Sequence, residues 1–250
     1  MRTIFTQAIK RKHIMFNPCQ IDGAGSEGKS KHQPEVVTPE QIESLADSIG
    51  YRLRCAVLLG AWCALRFGEI TALRRKDVDV ENQTVKVTRG AVRLTGKGVQ
   101  IGDPKTDAGK RVVAIPGHIM PELRKHLARI PAEGDALLFP SAADQAVPIA
   151  QSSFYRHWDR ARRAVGLDDF HFHDLRHTGA TMAAQVGATI GELQHRLGHS
   201  TPGAAMRYQH ATEERDKTIA RDMSRAAQPK KSKPAKEAVE RYPLTAVQSA

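Results

Sequence analysis

Four side chains suited to chemistry on a phosphate ester lie in the stretch HFHDLRHTGATMAAQVGATIGELQHRLGHSTPGAAMRYQH, residues 171–210. They are His173, Arg176, His199 and Tyr208. Positions three apart share one face of a helix, so His173 and Arg176 can point at one target. A guanidinium offers a planar fork of donors that fits phosphate oxygens. These residue types suit phosphoryl transfer with Tyr208 as the nucleophile.

Phosphoryl transfer by a tyrosine makes further demands on the sequence. A phenol has an ordinary pKa of about 10, so near neutrality it needs a proton acceptor or a strongly positive site. Charge on the non-bridging oxygens must be met by fixed donors, which arginine supplies without titrating. The sequence shows no acidic cluster for catalytic magnesium, so cationic side chains must stabilise the phosphate charge in place of a metal ion. A second arginine and a proton donor for the leaving oxygen are therefore expected.

Both candidates lie upstream. Arg66, in ALRFGEI, falls at a break between two apolar helical runs, where a buried arginine is costly unless it is paired or faces a cleft. Glu69, three residues later, could orient it. Taken alone, this segment is equally well explained as a structural ion pair. Lys105, in the loop 103–109 between two predicted strands, can reach toward a leaving 5′ oxygen.

The elements that must position these residues are mainly helical. A capping-box pattern at Thr38–Gln41 begins a helix that should stop at Gly50. Residues 51–76 contain an apolar helix, a break and a second short helix. The β-branched runs TVKVTRGAV, VRLTGKGVQI and KRVVAIP predict a small antiparallel sheet, and helical patterns return from His118 onward. The predicted fold class is α+β, mainly α-helical, with a three-stranded antiparallel sheet.

Charge and composition limit the kinds of partner and site that the chain is expected to have. The formal net charge of +11 over 250 residues favours an anionic partner such as nucleic acid, although a merely basic surface explains it equally well. Three cysteines without metal-type spacing argue against a disulfide framework and a zinc site. The sequence contains no apolar stretch of membrane-spanning length and no signal-peptide pattern at the N-terminus. We expect a cytoplasmic protein that does not contact a membrane.

The segments ALRFGEI, PKTDAGKRVVAIP, HDLRHTGAT, LGHS and YQH occur in this order and resemble the boxes of the tyrosine recombinase (phage integrase) family. The resemblance covers residues 36–222. In the hairpin region Lys97, in TGKG, is an alternative to Lys105. The site residues that the resemblance implies are Arg66 as the first phosphate-binding arginine, Glu69 as its acidic neighbour, Lys105 as the general acid, His173 and Arg176 as the His-x-x-Arg pair, His199 as the later His/Trp position, and Tyr208 as the nucleophile.

The reaction that the resemblance implies needs neither metal nor ATP. Tyr208 attacks a DNA phosphate, which gives a 3′-phosphotyrosyl link and a free 5′ hydroxyl, and a 5′ hydroxyl then reverses the step. The implied partner is double-stranded DNA, with four protomers exchanging strands between two duplexes and with possible accessory DNA-bending or excision factors. The implied location is the bacterial cytoplasm, in association with the nucleoid.

The resemblance also predicts a domain order. Residues 1–19 are expected to be the last helix of a truncated core-binding domain, 20–35 a linker, 36–225 the catalytic domain and 226–250 a basic, disordered tail. A catalytic domain alone lacks many phosphate contacts of a full clamp, so poor site specificity is expected of this chain.

Several alternatives stay open at this point. The enzyme could integrate a phage or mobile element, resolve chromosome or plasmid dimers, or nick and close DNA as a topoisomerase does, and the chain could also be an inactive DNA-binding fragment. His173 and His177 at i and i+4 could bind a metal, although the glutamate of a His-Glu-x-x-His pattern is missing. His171 and His177 have no role in the family pattern, so packing or surface positions are expected for them.

Overall fold

The computed structural model describes residues 2–19, 32, 34–94, 96, 98–104, 107–208, 217, 220–221 and 223–224. The chain divides into two compact units, 1–208 and 209–250, and the elements named here belong to the first. Its helices are α1 (Arg2–Lys10), α2 (Pro39–Ser48), α3 (Arg54–Trp62), α4 (Phe67–Thr71), α5 (Met120–Ala128), α6 (Gln151–Ala164), α7 (Phe172–Gln185), α8 (Ile190–Leu197) and α9 (Pro202–Met206). Its strands are β1 (Val78–Asp79), β2 (Thr84–Val87), β3 (Gly90–Leu94), β4 (Gly98–Gly102) and β5 (Arg111–Ala114).

The predicted start of α2 is confirmed in atomic detail. The Thr38 hydroxyl accepts a hydrogen bond from the Gln41 amide at 3.3 Å, and the Gln41 side chain accepts one from the Thr38 amide at 2.9 Å. Pro39 occupies the first helical turn, where its missing N–H costs nothing. Gly50 follows the helix with φ of +92°, a conformation that glycine adopts without steric penalty. The fold class, α+β and mainly helical, is likewise confirmed.

The strands divide differently from the prediction. One sheet has the order β1-β2-β5 and is antiparallel, while β3 and β4 form a separate antiparallel hairpin. The reason lies in burial: Val85, Val87 and Val113 of β2 and β5 are buried in the core, whereas Val92 and Ile101 of the hairpin are exposed. The middle β-branched run therefore folds back on itself as a separate, exposed hairpin. The short strand β1 is the third strand of the three-stranded sheet.

Helices α3 and α7 form the centre of the unit. Nearly every residue of α3 is buried, and α7 crosses it closely at Gly179. A Cβ at position 179 would lie 1.9 Å from the Ala61 carbonyl oxygen. Beside this crossing, the Phe172 ring packs edge-on against Trp158 and Phe154, at 5.2 and 4.8 Å. This packing fixes the N-terminal turns of α7, which carry His173 and Arg176.

The crossing at Gly179 predicts a stability effect. Gly179→Ala is expected to lower the free energy of unfolding by about 1–3 kcal/mol because α3 and α7 must move apart. Gly191→Ala is the matched control: it lies in α8 with nothing near its Cβ position, so alanine should be neutral or mildly stabilising. Urea unfolding of both variants measures the difference, and equal stabilities would contradict the close approach.

Candidate active site

Arg176 is the buried centre of the candidate site. It is 3% exposed, and its Nη1 donates to the Ala64 carbonyl at 2.5 Å. Its Nη2 donates to the Leu197 carbonyl and lies 3.2 Å from His199 Nε2. Burial, followed by the positive charge of Arg66, lowers the pKa of Arg176 to about 9, so the guanidinium stays charged at pH 7. Arg176 thus ties the break after α3 to the end of α8.

Arg66 lies at that break, as the N-cap residue of α4. Its amide and its Nη1 both donate to Glu69, each at 2.8 Å, and its Nη2 lies 3.4 Å from the Gly198 carbonyl oxygen. The side chain remains 39% exposed. The structural ion pair is therefore present, and it holds a guanidinium that solvent still reaches.

Arg111, which was not among the predicted site residues, holds Glu69 from the other side. Its Nη1 and Nη2 donate to the two carboxylate oxygens of Glu69, at 3.0 and 2.9 Å, and its Nε donates to the Arg196 carbonyl at 2.9 Å. Burial alone raises the pKa of Glu69, but the hydrogen bonds and charges of Arg111 and Arg66 outweigh it and hold that pKa below its usual value. One signal was available. Arg111 lies two positions before the buried Val113 in β5, so the two side chains share the inward face of the strand.

The buried pair predicts a large stability effect. Arg111→Met is expected to lower the free energy of unfolding by about 3–5 kcal/mol, because it leaves the Glu69 carboxylate buried with one partner instead of two. Lys110→Met removes a neighbouring cation from an exposed pair with Asp103 and should change stability by less than about 1 kcal/mol. Thermal and urea unfolding test this, and a similar small effect for both variants would contradict the assigned pairing.

His199 and His173 flank Arg176 as uncharged imidazoles. Desolvation first, and then the charge of Arg176 among others, lowers the pKa of His199 to about 4. Desolvation and the neighbouring His177 and Arg176 do the same for His173. Both rings can offer an N–H at pH 7 without adding charge. His199 Nδ1 is buried and has no hydrogen-bond partner among the described residues.

A left-handed residue places His199. Gly198 caps the C-terminus of α8 with φ of +61°, and the chain then turns toward Arg176. A Cβ there would lie 2.8 Å from Arg111 Nη1 and 2.9 Å from the Ala108 carbonyl oxygen. Glycine is therefore required both for the turn and for the close approach.

Tyr208 follows α9 and is half-buried. Its hydroxyl lies 2.7 Å from His177 Nδ1. Burial raises the pKa of Tyr208 above its ordinary value, against the opposing charges of Arg176 and Arg207. The phenol is thus protonated at pH 7. His177, for which a packing or surface position was expected, packs against the candidate nucleophile.

Two predicted residues, Lys105 and its alternative Lys97, lie outside the described residues. The loop that carries Lys105 returns to the site at Gly109, whose carbonyl oxygen lies 3.2 Å from Arg111 Nη1.

His173 and His177 meet edge to face, with ring centroids 5.0 Å apart. The structure therefore brings together Arg66, Glu69, His173, Arg176, His199 and Tyr208.

A different group of metal-type ligands lies next to the site. His32, His171 and Asp174 have ligand atoms within 4.8 Å of one another. The Asp174 carboxylate caps α7, accepting from the His171 amide at 2.8 Å, and lies 2.7 Å from His32 Nε2. The two imidazole rings stack at 3.8 Å. These contacts describe a hydrogen-bonded helix cap.

Comparisons with known proteins show which family the chain belongs to. The model of the phage integrase family matches residues 35–215. The putative prophage phiRv2 integrase of Mycobacterium tuberculosis is 42% identical over 91% of this chain, and the integrase of Mycobacterium phage D29 is 38% identical over 91%. The chain belongs to the phage integrase family. It spans about 60% of the length of these two relatives.

Solved structures share the fold. The Tn1549 transposon integrase in complex with a circular intermediate DNA superposes with a TM-score of 0.69, at 23% identity, over 90% of this chain and 76% of that one. The XerA recombinase superposes with a TM-score of 0.57, at 22% identity, over 81% and 67%. In the described part of the chain, no helix has the length and apolar character needed to cross a bilayer.

Proposed function

We propose that this chain is the catalytic part of a phage or prophage integrase, which cuts and rejoins double-stranded DNA through a 3′-phosphotyrosyl link at Tyr208. One observation carries the proposal: Arg66, Arg176 and His199 converge at the end of α8. On the same helix as Arg176, His177 contacts the Tyr208 hydroxyl. These contacts support a nucleophile and fixed cations that act on one phosphate.

The geometry supports distinct roles. Arg66 and Arg176 bind the non-bridging oxygens, Arg66 from the exposed side and Arg176 from the buried side. His173 and His199, both uncharged, donate further hydrogen bonds to the phosphate. Glu69 orients Arg66 without touching the substrate. Lys105, or Lys97 in its place, protonates the leaving 5′ oxygen.

The proposed reaction conserves the energy of the broken bond. Tyr208 Oη forms a bond to phosphorus as the bond from phosphorus to the 5′ oxygen breaks. A 5′ hydroxyl later attacks the phosphotyrosine and releases the tyrosine. Because arginines neutralise the phosphate and no bond energy is lost, the step requires neither a metal ion nor ATP.

The proposed partner is double-stranded DNA, recombined by four protomers on two duplexes with accessory DNA-bending or excision factors, in the bacterial cytoplasm at the nucleoid. The net charge of +11 suits a polyanion. Residues 36–225 are the proposed catalytic domain. Integration is favoured over dimer resolution because the integrase relatives are 38–42% identical, whereas a XerC recombinase of Staphylococcus saprophyticus is 26% identical.

Supercoiled plasmid in EDTA tests the proposal without knowledge of the target site. After a detergent quench, we expect relaxed plasmid and DNA that enters the phenol interface until protease is added. A parallel reaction with magnesium should give the same yield. Cleavage that needs magnesium and leaves no protein on the DNA would contradict it. Strand exchange between two plasmids carrying the recognised site then separates an integrase from a nicking-closing enzyme.

A further inference from the structure

The contact between His177 and Tyr208 gives the hydroxyl of the proposed nucleophile a hydrogen-bond partner. His177 lies one turn after His173 on α7 and is half-buried. Its Nδ1 is 2.7 Å from the Tyr208 hydroxyl, and the two rings are tilted by 42°. In the described part of the chain, this is the only hydrogen bond of that hydroxyl. A phenol O–H that meets an imidazole nitrogen at this distance is aligned for proton transfer.

Three other proton acceptors near the site are already engaged, and the His173 ring contacts His177 but does not hydrogen-bond the Tyr208 hydroxyl within the described residues. His199 Nε2 lies against Arg176 Nη2 at 3.2 Å. The Glu69 carboxylate is held by two arginines, and the Asp174 carboxylate caps α7. None of these three groups hydrogen-bonds the Tyr208 hydroxyl within the described residues. His177 is therefore the acceptor that the fold presents to the nucleophile.

The surroundings of His177 favour its neutral form. Burial lowers its pKa below the ordinary value, so the imidazole is mainly uncharged at pH 7. A neutral ring that carries its proton on Nε2 leaves the Nδ1 lone pair free to accept from the phenol. The charged or titratable groups that face it are Asp174, which raises its pKa, and Arg176, Arg207 and His32, which lower it. The His173 ring also faces it, with ring centroids 5.0 Å apart.

We propose that His177 is a catalytic residue, the general base that accepts the Tyr208 phenolic proton on Nδ1. The inference rests on the proposed function. As the bond from Oη to phosphorus forms, the O–H bond of Tyr208 breaks and its proton moves to Nδ1, while the leaving 5′ oxygen takes a proton from the lysine general acid. In the reverse step, the imidazolium returns the proton to the departing phenolate.

The pH dependence of adduct formation tests this role on supercoiled plasmid. For the wild type, the rate should be nearly constant between pH 7 and 9, because His177 is already neutral there. In His177→Ala, the rate at pH 7 should fall about 10²- to 10⁴-fold, the usual contribution of a general base. It should then rise about tenfold per pH unit, because ionised Tyr208 becomes the reactive form.

His177→Asn separates proton transfer from positioning. Its side-chain oxygen can accept the same hydrogen bond, but an amide does not take up a proton in this pH range. We expect the asparagine variant to show the slow, pH-dependent rate of the alanine variant. His157→Ala, an exposed histidine of α6, is the control and should keep the flat profile. Thermal unfolding confirms that each variant is folded.

Two results would overturn the assignment: a wild-type rate restored by asparagine, or an alanine variant within tenfold of wild type with a flat profile. Nitrogen chemical shifts of His177 give a reading that needs no DNA. They should report an Nε2–H tautomer whose Nδ1 resonance moves in Tyr208→Phe, and an Nδ1–H tautomer would refute the base. Wild-type adducts alongside a failed His177 test would leave the proposed function standing, whereas their absence would remove both.

Discussion

Tyr208→Phe is expected to form no covalent adduct with DNA and to lose plasmid relaxation completely. The substitution removes the oxygen that we propose attacks phosphorus and keeps the ring that packs beside α8 and α9. The fold loses only the hydrogen bond to His177, which is worth about 1 kcal/mol. The variant should therefore remain folded and still bind DNA, as gel shift and thermal unfolding can show.

Tyr51→Phe is the matched control for that experiment. Tyr51 is exposed, and Arg129 lies over its ring at 5.2 Å, a contact that phenylalanine keeps. It should form adducts at the wild-type rate. Adducts or relaxation that survive in Tyr208→Phe would mean that another residue is the nucleophile.

Arg176→Lys is expected to lower the rate of adduct formation by about 10³- to 10⁵-fold, the range for an arginine that stabilises phosphoryl transfer. One guanidinium here reaches the Ala64 and Leu197 carbonyls and His199 together. A lysine ammonium is a single point charge and cannot hold these contacts while binding a phosphate oxygen. Because positive charge is retained, DNA binding should change far less than the rate.

Arg162→Lys provides the comparison for Arg176→Lys. Arg162 pairs with Asp159 on α6, away from the candidate site, and its replacement should leave the rate unchanged. Quenched time courses on supercoiled plasmid, together with gel shifts, measure rate and binding separately. An Arg176→Lys rate within tenfold of wild type would contradict a phosphate-binding role for Arg176.

Local signals predicted much of the fold. The capping box at Thr38 and Gln41 depends on neighbours within a few residues, so the sequence contains all the information needed. The pairing of Arg66 with Glu69 is also local. The order of the boxes then identified the family and the candidate nucleophile.

Contacts between distant segments could not be predicted in the same way. Arg111 reaches Glu69 across 42 positions of the chain, and His177 reaches Tyr208 across 31. Strand periodicity shows that Arg111 points inward, but nothing local shows that Glu69 is its partner, and nothing local distinguishes His177 from a surface histidine. The separate β3–β4 hairpin could not be predicted for the same reason. Which strands face the core depends on how the sheet packs against the helices.

Identification of the modified residue tests the central claim most directly. The protein is incubated with plasmid in EDTA, denatured, and digested with nuclease and trypsin, and the peptides are analysed by mass spectrometry. We predict a nucleotide phosphate on the peptide YQHATEER, which begins at Tyr208. A nucleotide on a peptide containing Tyr51, Tyr155 or Tyr242, or relaxation without any modified peptide, would contradict the assignment of Tyr208 as the nucleophile.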